Sequence, residues 1–227
     1  MTSSAARLVL ASASPRRRQL LSVLGIPFEA IELDLDETAR PDEAPGDLAC
    51  RLAVAKARAG AVRCPAALVL GADTVVELAG ESLGKPGSAP DAVDMLDRLR
   101  GRAHRVVTAV ALAHADEPGA EIEVASRVAT AEVWMRDYTE HEIRAYVASG
   151  DPYDKAGGYA IQHPTFRPVS RIVGCFLTVV GLPLPEVCEL LRSAGVFGPR
   201  VDANALEAAC PGCIDSSVLL RHLSRPP

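Results

Sequence analysis

Aromatic side chains are scarce in this chain. Phe, Trp and Tyr make up 4% of its 227 residues, too few to suggest the stacked platforms that hold single-stranded nucleic acid. Positive charge is also in short supply. Lys and Arg number 24 against 29 Asp and Glu, a formal net charge of -5. That argues against an extended basic face, and no nucleic-acid polymer is expected as a partner. A small polyanion stays open, because it needs only a few local cations. No apolar run approaches the ~20 residues that cross a bilayer, so no membrane is expected. Met1 to Ala6 has no charged n-region, and the apolar run Leu8 to Ala11 is too short for a signal peptide. A cytoplasmic location is therefore the expectation. Without a secretory signal, Cys50, Cys64, Cys175, Cys188, Cys210 and Cys213 read as reduced thiols. Only Cys210 and Cys213 have metal-like spacing. No second such pair exists, and His222 is single.

What remains is a chain able to build a core. It is 48% hydrophobic and 23% charged, suited to one large domain or to two lobes sharing a cleft. Arg7 to Ala11 reads as a buried strand. Ser14-Pro15 then opens a helix with Leu20, Leu21 and Leu24 on its apolar stripe, ended by Gly25. Phe28 to Leu33 alternates as a strand. Leu48, Leu52, Ala55, Ala59 and Val62 mark a long helix over Asp47 to Val62. Ala67 to Leu70 reads as a buried strand running into Gly71-Ala-Asp-Thr74. Val75 to Leu78 and Glu81 to Leu83 flank a turn at Ala79-Gly80. Capping boxes at Ser88 to Asp91 and Thr139 to Glu142 open two further helices, and long strands near Arg105 to Ala113 and Val124 to Met135 lie between them. Arg171 to Val180 reads as strand and Leu184 to Ala194 as a last helix. The implied fold is α/β, a mixed twisted sheet flanked by helices, with residues 1–197 as the domain and 198–227 as a tail of unknown role.

Five segments carry candidate chemistry. Ala11 to Arg17 lies where a strand hands over to a helix. Free N–H groups at the helix start, the Ser12 and Ser14 hydroxyls, and Arg16 and Arg17 would suit phosphate; the alternative is an ordinary capped helix. Asp73 follows a buried strand, at the sheet end where α/β proteins place ligands, and could hold a divalent ion or take a proton from water. Glu37 could share that ion. Lys56 and Lys85 could neutralise phosphate, or could simply snorkel or lie on the surface. In Asp151 to Gln162 two glycines permit close backbone approach, Asp154 and Lys155 add both charges, and the Gln162 amide could read the edge of a pyrimidine.

These segments, in this order, resemble the Maf family of nucleoside triphosphate pyrophosphatases. The resemblance is carried by Leu10-Ala-Ser-Ala-Ser-Pro-Arg-Arg17, Asp36-Glu-Thr38, Arg51-Leu-Ala53 with Lys56-Ala-Arg58, Gly71-Ala-Asp-Thr-Val-Val76, Gly84-Lys-Pro86, Asp154-Lys-Ala-Gly-Gly-Tyr-Ala-Ile-Gln162 and Val179-Val-Gly-Leu-Pro183. It implies a two-lobed fold around a central cleft, a homodimer, and dependence on Mg²⁺ or Mn²⁺. It implies Asp73 as catalytic base, with Arg16, Thr74 and Gln162 choosing the substrate. Glu37, Lys56 and Lys85 match positions tied to metal and phosphate. The Asp-Lys-Ala-Gly form ending in Ile-Gln resembles the branch acting on dTTP and UTP. Two departures stand out. His163-Pro164 follows Gln162 where that branch usually has Gly, and Thr178 stands where Asn is frequent. A nucleotide-binding regulator of cell division is the alternative from another class, although a pure sensor has no need of the full acid set. The same chemistry on modified nucleotides is the third reading.

Overall fold

The computed structural model describes residues 7–196. The predicted tail, with Cys210 and Cys213, lies outside them. Seven strands form one sheet: β1 (Leu8–Ala11), β2 (Phe28–Ile31), β3 (Leu68–Leu78), β4 (Glu81–Leu83), β5 (Ala103–His114), β6 (Glu123–Met135) and β7 (Val169–Val173). Among the described residues six α-helices pack around it: α1 (Pro15–Ser22), α2 (Pro45–Arg63), α3 (Ala89–Leu99), α4 (Glu140–Ala148), α5 (Phe176–Val180) and α6 (Leu184–Ser193). The strand order is β2-β1-β3-β5-β6-β7, with β4 also on β3. β1 pairs in parallel with β2 and β3, and the other pairings are antiparallel. The sheet is therefore mixed, as the alternating pattern implied.

Strand alternation sorts the core. Val9, Ala11, Val69 and Val75 pack against α2, while Leu8, Leu10, Leu68 and Leu70 pack with α1 and α6 on the other face. A third cluster joins the far halves of β3 and β5 to α3, α4, Tyr159 and Phe166. The long strands thus run through two lobes, and the cleft lies between them.

Two segments expected as separate strands are one. Ala67 to Leu70 and Val75 to Leu78 fall in the single 11-residue β3. Asp73 is therefore within a strand, not after one. The end that matters belongs to β1. One edge of β3 pairs with β5 from Val69 to Glu77 without interruption. The other edge pairs with β1 only up to Gly71 and with β4 only from Val76. Residues 72–75 are left open on that edge, and Asp73 and Thr74 sit in the gap.

Arg171 to Val180 is not a strand throughout. β7 stops at Val173, Gly174 takes φ 110°, and Phe176–Val180 is a short helix closed by Gly181 at φ 112°. A Cβ on Gly174 would lie 3.0 Å from the Thr130 carbonyl, so the crossing over β6 admits only glycine in its present form. The Thr139–Glu142 capping box is complete. At Ser88 only half of one forms: its hydroxyl accepts from the Asp91 N–H at 3.3 Å, but the Asp91 carboxylate accepts from Gly87 instead.

α2 lies very close to the sheet. Beside Leu48, Leu52 and Lys56, its buried residues include Ala49, Ala53, Ala57, Gly60 and Ala61, all small. Facing it is Gly71, where a Cβ would stand 2.3 Å from the Ala53 carbonyl oxygen and 2.7 Å from the Ala57 nitrogen. Both neighbours are backbone and cannot swing aside. Gly71→Ala should therefore lower the urea midpoint by the equivalent of about 3 kcal/mol, the upper range of an overpacked core. Gly46→Ala, with open space around it in the same helix, should leave the midpoint unchanged or slightly raised.

Candidate active site

The cleft encloses a cavity of ≈ 410 Å³. Its walls come from the turn before α1, the Glu37 loop, α2, the gap in β3, the β4–Lys85 segment and residues 154–162. Every site residue expected from sequence lines it: Ser12, Ser14, Arg16, Arg17, Glu37, Lys56, Asp73, Thr74, Lys85, Asp154, Lys155 and Gln162.

Strand alternation deals Asp73 to the α2 face. There Lys56 Nζ donates to Asp73 Oδ1 at 2.6 Å and meets Glu37 Oε1 at 2.5 Å. Lys85 Nζ stands 3.3 Å from Glu37 Oε2. Lys56 is 9% exposed and Asp73 7%, so this is a largely desolvated ion cluster. Partial burial works against the Glu37 carboxylate, but hydrogen bonds and charge from Lys56 and Lys85 outweigh it and hold its pKa below the ordinary value. Glu37 is thus ionised at neutral pH. Its loop is tied down by Arg51, which donates to the Thr38 carbonyl at 3.0 Å and to Glu43 at 2.6 Å. Sequence reading had not singled out Arg51 as a support. The available signal was its place on α2 five residues before Lys56.

Thr74, one residue on, faces α1. Its hydroxyl accepts from Arg17 Nη2 at 3.1 Å and meets Thr108 Oγ1 at 3.0 Å. Thr108 gives its only proton to the Thr178 carbonyl at 2.7 Å, so the Thr74 hydroxyl donates to Thr108. Arg17 also donates to the Gly181 carbonyl at 2.8 Å and the Ala72 carbonyl at 2.9 Å. The latter lies in the gap of β3. Burial lowers the Arg17 pKa, opposed by Asp73 and Glu37. Its fork is therefore committed to the scaffold.

The Ser12 and Ser14 hydroxyls accept from backbone N–H groups of Ser14 and Arg17, at 3.2 and 3.5 Å, and keep their own protons to donate. Arg16 reaches across the cleft to Asp154 at 3.6 Å. Lys155 is turned inward, onto the Asp151 carbonyl and the Asp151 and Asp154 carboxylates, at 2.5, 3.0 and 2.5 Å. Its three donors hold the turn. Gln162 is exposed on the cavity wall. Among the described residues its amide makes no hydrogen bond.

The model of the family described as "Maf-like protein" matches residues 7–194. The chain belongs to the Maf family. Among its relatives is a dTTP/UTP pyrophosphatase of Syntrophus aciditrophicus, 47% identical over 83% of this chain and 90% of that protein. Another, of Thermomicrobium roseum, is 47% identical over 91% and 92%. Among solved structures, the Staphylococcus aureus Ham1 protein gives a TM-score of 0.40 at 19% identity, covering 58% of this chain and 72% of that one. The Maf match takes in every residue that lines the cavity, from Ala11 to Val180.

The committed fork of Arg17 separates it from Arg16 in this Maf chain. A lysine ammonium cannot meet the Ala72, Thr74 and Gly181 oxygens together. Arg17→Lys should therefore cost about 2 kcal/mol of stability, roughly 4–8 °C in melting temperature by calorimetry. An unchanged melting temperature with weakened phosphate binding would return Arg17 to the anion-binding set.

Proposed function

We propose that this chain hydrolyses nucleoside triphosphates, dTTP and UTP foremost, to the monophosphate and pyrophosphate, and so clears unwanted or modified nucleotides. The observation that carries the reading is the Glu37–Lys56–Asp73 cluster facing the α1 turn across one cavity. The names of the relatives add the substrate class.

In this reading the polyphosphate lies between the Ser12–Arg16 turn on one side and Lys56 and Lys85 on the other. Ser12, Ser14 and the α1 N-terminus donate to its oxygens. Asp73 uses Oδ1 on Lys56, which leaves Oδ2 to orient a water and take its proton. That water attacks the α-phosphorus. The bond from the α-phosphorus to the bridging oxygen breaks, and pyrophosphate leaves with that oxygen. Lys56 and Lys85 offset the charge that develops on it. Positioning and electrostatics suffice, and no covalent intermediate is involved.

Maf-family pyrophosphatases generally depend on a divalent metal. The donors here fit such an ion: two hard carboxylates, Glu37 and Asp73, converge on one buried cation, the Lys56 ammonium. Mg²⁺ and Mn²⁺ favour one or two carboxylates completed by phosphate oxygens and water. Glu37 and Asp73 would hold the ion, which when bound would neutralise phosphate charge and polarise the phosphoryl group.

Base choice falls to Gln162, with Arg16 and Thr74 setting where the nucleotide lies. The unrestrained Gln162 amide also favours a second reading, that modified nucleotides are accepted, because a free amide can turn to suit a donor or an acceptor. The catalytic unit is taken as residues 1–197, working as a cytoplasmic homodimer. The outer edge of β6 before Glu132, which has no strand partner among the described residues, suits addition of a second copy. Among the described residues no helix is long and apolar enough to cross a membrane.

Asp73→Asn should lose at least about 100-fold in pyrophosphate release, the ordinary worth of a general base, while still binding nucleotide by calorimetry. Near-wild-type release would remove Asp73 from the chemistry, and absent release in the wild type with intact nucleotide binding would favour the regulator. Across a panel of ordinary and modified triphosphates with Mg²⁺ or Mn²⁺, kcat/KM for UTP and dTTP should exceed that for purines by at least about tenfold. A purine preference would refute the branch assignment.

A further inference from the structure

Gln162 sits at the tip of a turn closed by the His163 N–H on the Ala160 carbonyl at 3.2 Å. Its own amide holds it to nothing among the described residues, so its place is set by what grips the backbone on either side. Upstream, the Ala160 N–H donates to Tyr146 Oη at 2.9 Å. Downstream, His163 Nδ1 accepts from the Phe166 N–H at 3.0 Å, with the Thr165 hydroxyl at 3.3 Å. Pro164, which presets φ for a turn, and Thr165 are the residues this closure encloses.

Both grips meet on one side chain. The Tyr146 ring stacks on Phe166 at 4.4 Å and 12° and takes the His163 ring edge-on at 4.8 Å. Its hydroxyl donates to Asp151 Oδ2 at 2.6 Å, and Asp151 Oδ1 accepts from Lys155 at 3.0 Å. Burial opposes ionisation of Asp151, but these two donors outweigh it and lower its pKa. The carboxylate therefore fixes the Tyr146 hydroxyl as its donor, which leaves a lone pair aimed at the Ala160 N–H. The far end is anchored by Arg136, which donates to the Phe166 and Arg167 carbonyls at 2.7 Å each. Five residues, 161–165, thus span two anchored points, with Gln162 between them on the cavity wall.

We propose that Tyr146 and His163 are positioning residues for base recognition, fixing the Gln162 turn through the Tyr146–Ala160 and His163–Phe166 hydrogen bonds. The proposal rests on the reading of Gln162 as the base-contacting residue. It also gives the His163-Pro164 departure a function. The loop is closed here by an imidazole that takes the place of a backbone acceptor. Neither residue touches the Asp73 cluster, so their loss falls on where the base is held and not on phosphoryl transfer.

The test uses Tyr146→Phe, which keeps the ring and removes the hydroxyl, together with His163→Leu and His163→Asn. The asparagine carboxamide oxygen can still accept from Phe166, whereas leucine cannot. Steady-state kcat and KM are measured for UTP, dTTP, CTP and GTP, with melting temperatures as the check on folding. Tyr146→Phe and His163→Leu should raise KM for UTP about fivefold and cut discrimination against CTP and GTP about tenfold, with kcat within about twofold. His163→Asn should keep the wild-type ratios. Wild-type discrimination in folded Tyr146→Phe and His163→Leu would overturn the proposal. So would an equal fall in kcat for every substrate, the mark of a purely structural role. Should Tyr146→Phe fail to fold, the contrast between His163→Leu and His163→Asn decides alone. A wild-type enzyme indifferent to the base would instead defeat the role of Gln162 itself.

Discussion

The Lys56 ammonium is almost wholly removed from water, and much of the surrounding structure exists to make that tolerable. A buried charge costs several kcal/mol to desolvate unless it is paired with good geometry. Lys56 is paired twice, with Asp73 and Glu37. Each partner is supplied by a different device. Asp73 reaches it because the small face of α2 lets that helix settle onto β3 at Gly71. Glu37 reaches it because Arg51, on the same helix, holds the loop that carries it. One helix therefore presents the cation and organises both anions. Lys85 brings the cluster to formal neutrality, two cations against two carboxylates. A neutral cluster neither repels an incoming polyphosphate nor demands a counter-ion in its absence.

An acid in the middle of a β-strand, as Asp73 is, would normally be hidden by a neighbouring strand. Here β1 ends and β4 begins on the same edge of β3, and the residues between are uncovered. An open edge leaves backbone groups without partners, which is costly in a largely buried site. Arg17 meets that cost at the Ala72 carbonyl while tying down Thr74 and Gly181. The two neighbouring arginines thus divide the work. Arg17 closes the scaffold and Arg16 faces the cleft, although their positions in Ser-Pro-Arg-Arg give no hint of which does which.

Most of the elements were legible because their signals are local. The Ser14-Pro15 start and the Thr139–Glu142 capping box each depend on a few neighbouring residues. The long helix α2 was legible as a helix but not in its facing. Of the expected stripe Leu48 and Leu52 are buried, whereas Ala55 and Ala59 are half-buried and Val62 is 71% exposed, because the close approach at Gly71 turns Ala53, Ala57 and Gly60 to the sheet. Errors arose where a distant partner decided the outcome. Gly71-Ala-Asp-Thr74 read as a strand end because a glycine and an acid are poor strand residues. It stays extended because β5 pairs with all of it. The stretch after Val173 looked extended because it is apolar and rich in β-branched residues, yet the backbone crossing at Gly174 and the turn at Gly181 confine it to a helix. The candidate residues were gathered into one cavity, but sequence could not divide them by task. Arg17 and Lys155 look like phosphate ligands as residue types, and only their partners show them facing the protein.

That division places the two properties of the site on different kinds of structure. Asp73, Lys56 and Thr74 stand on β3 and α2, among residues packed on both sides of the sheet, where a small displacement disturbs the core. Gln162 stands on a turn outside the sheet, held by a handful of side-chain contacts that sequence change can remake one at a time. Under the proposed roles of Asp73 and Gln162, a fold arranged this way can keep its phosphate chemistry while its choice of base drifts. The His163-Pro164 closure is a device of that kind: it lies clear of the sheet and the Asp73 cluster and bears only on how the Gln162 turn is held.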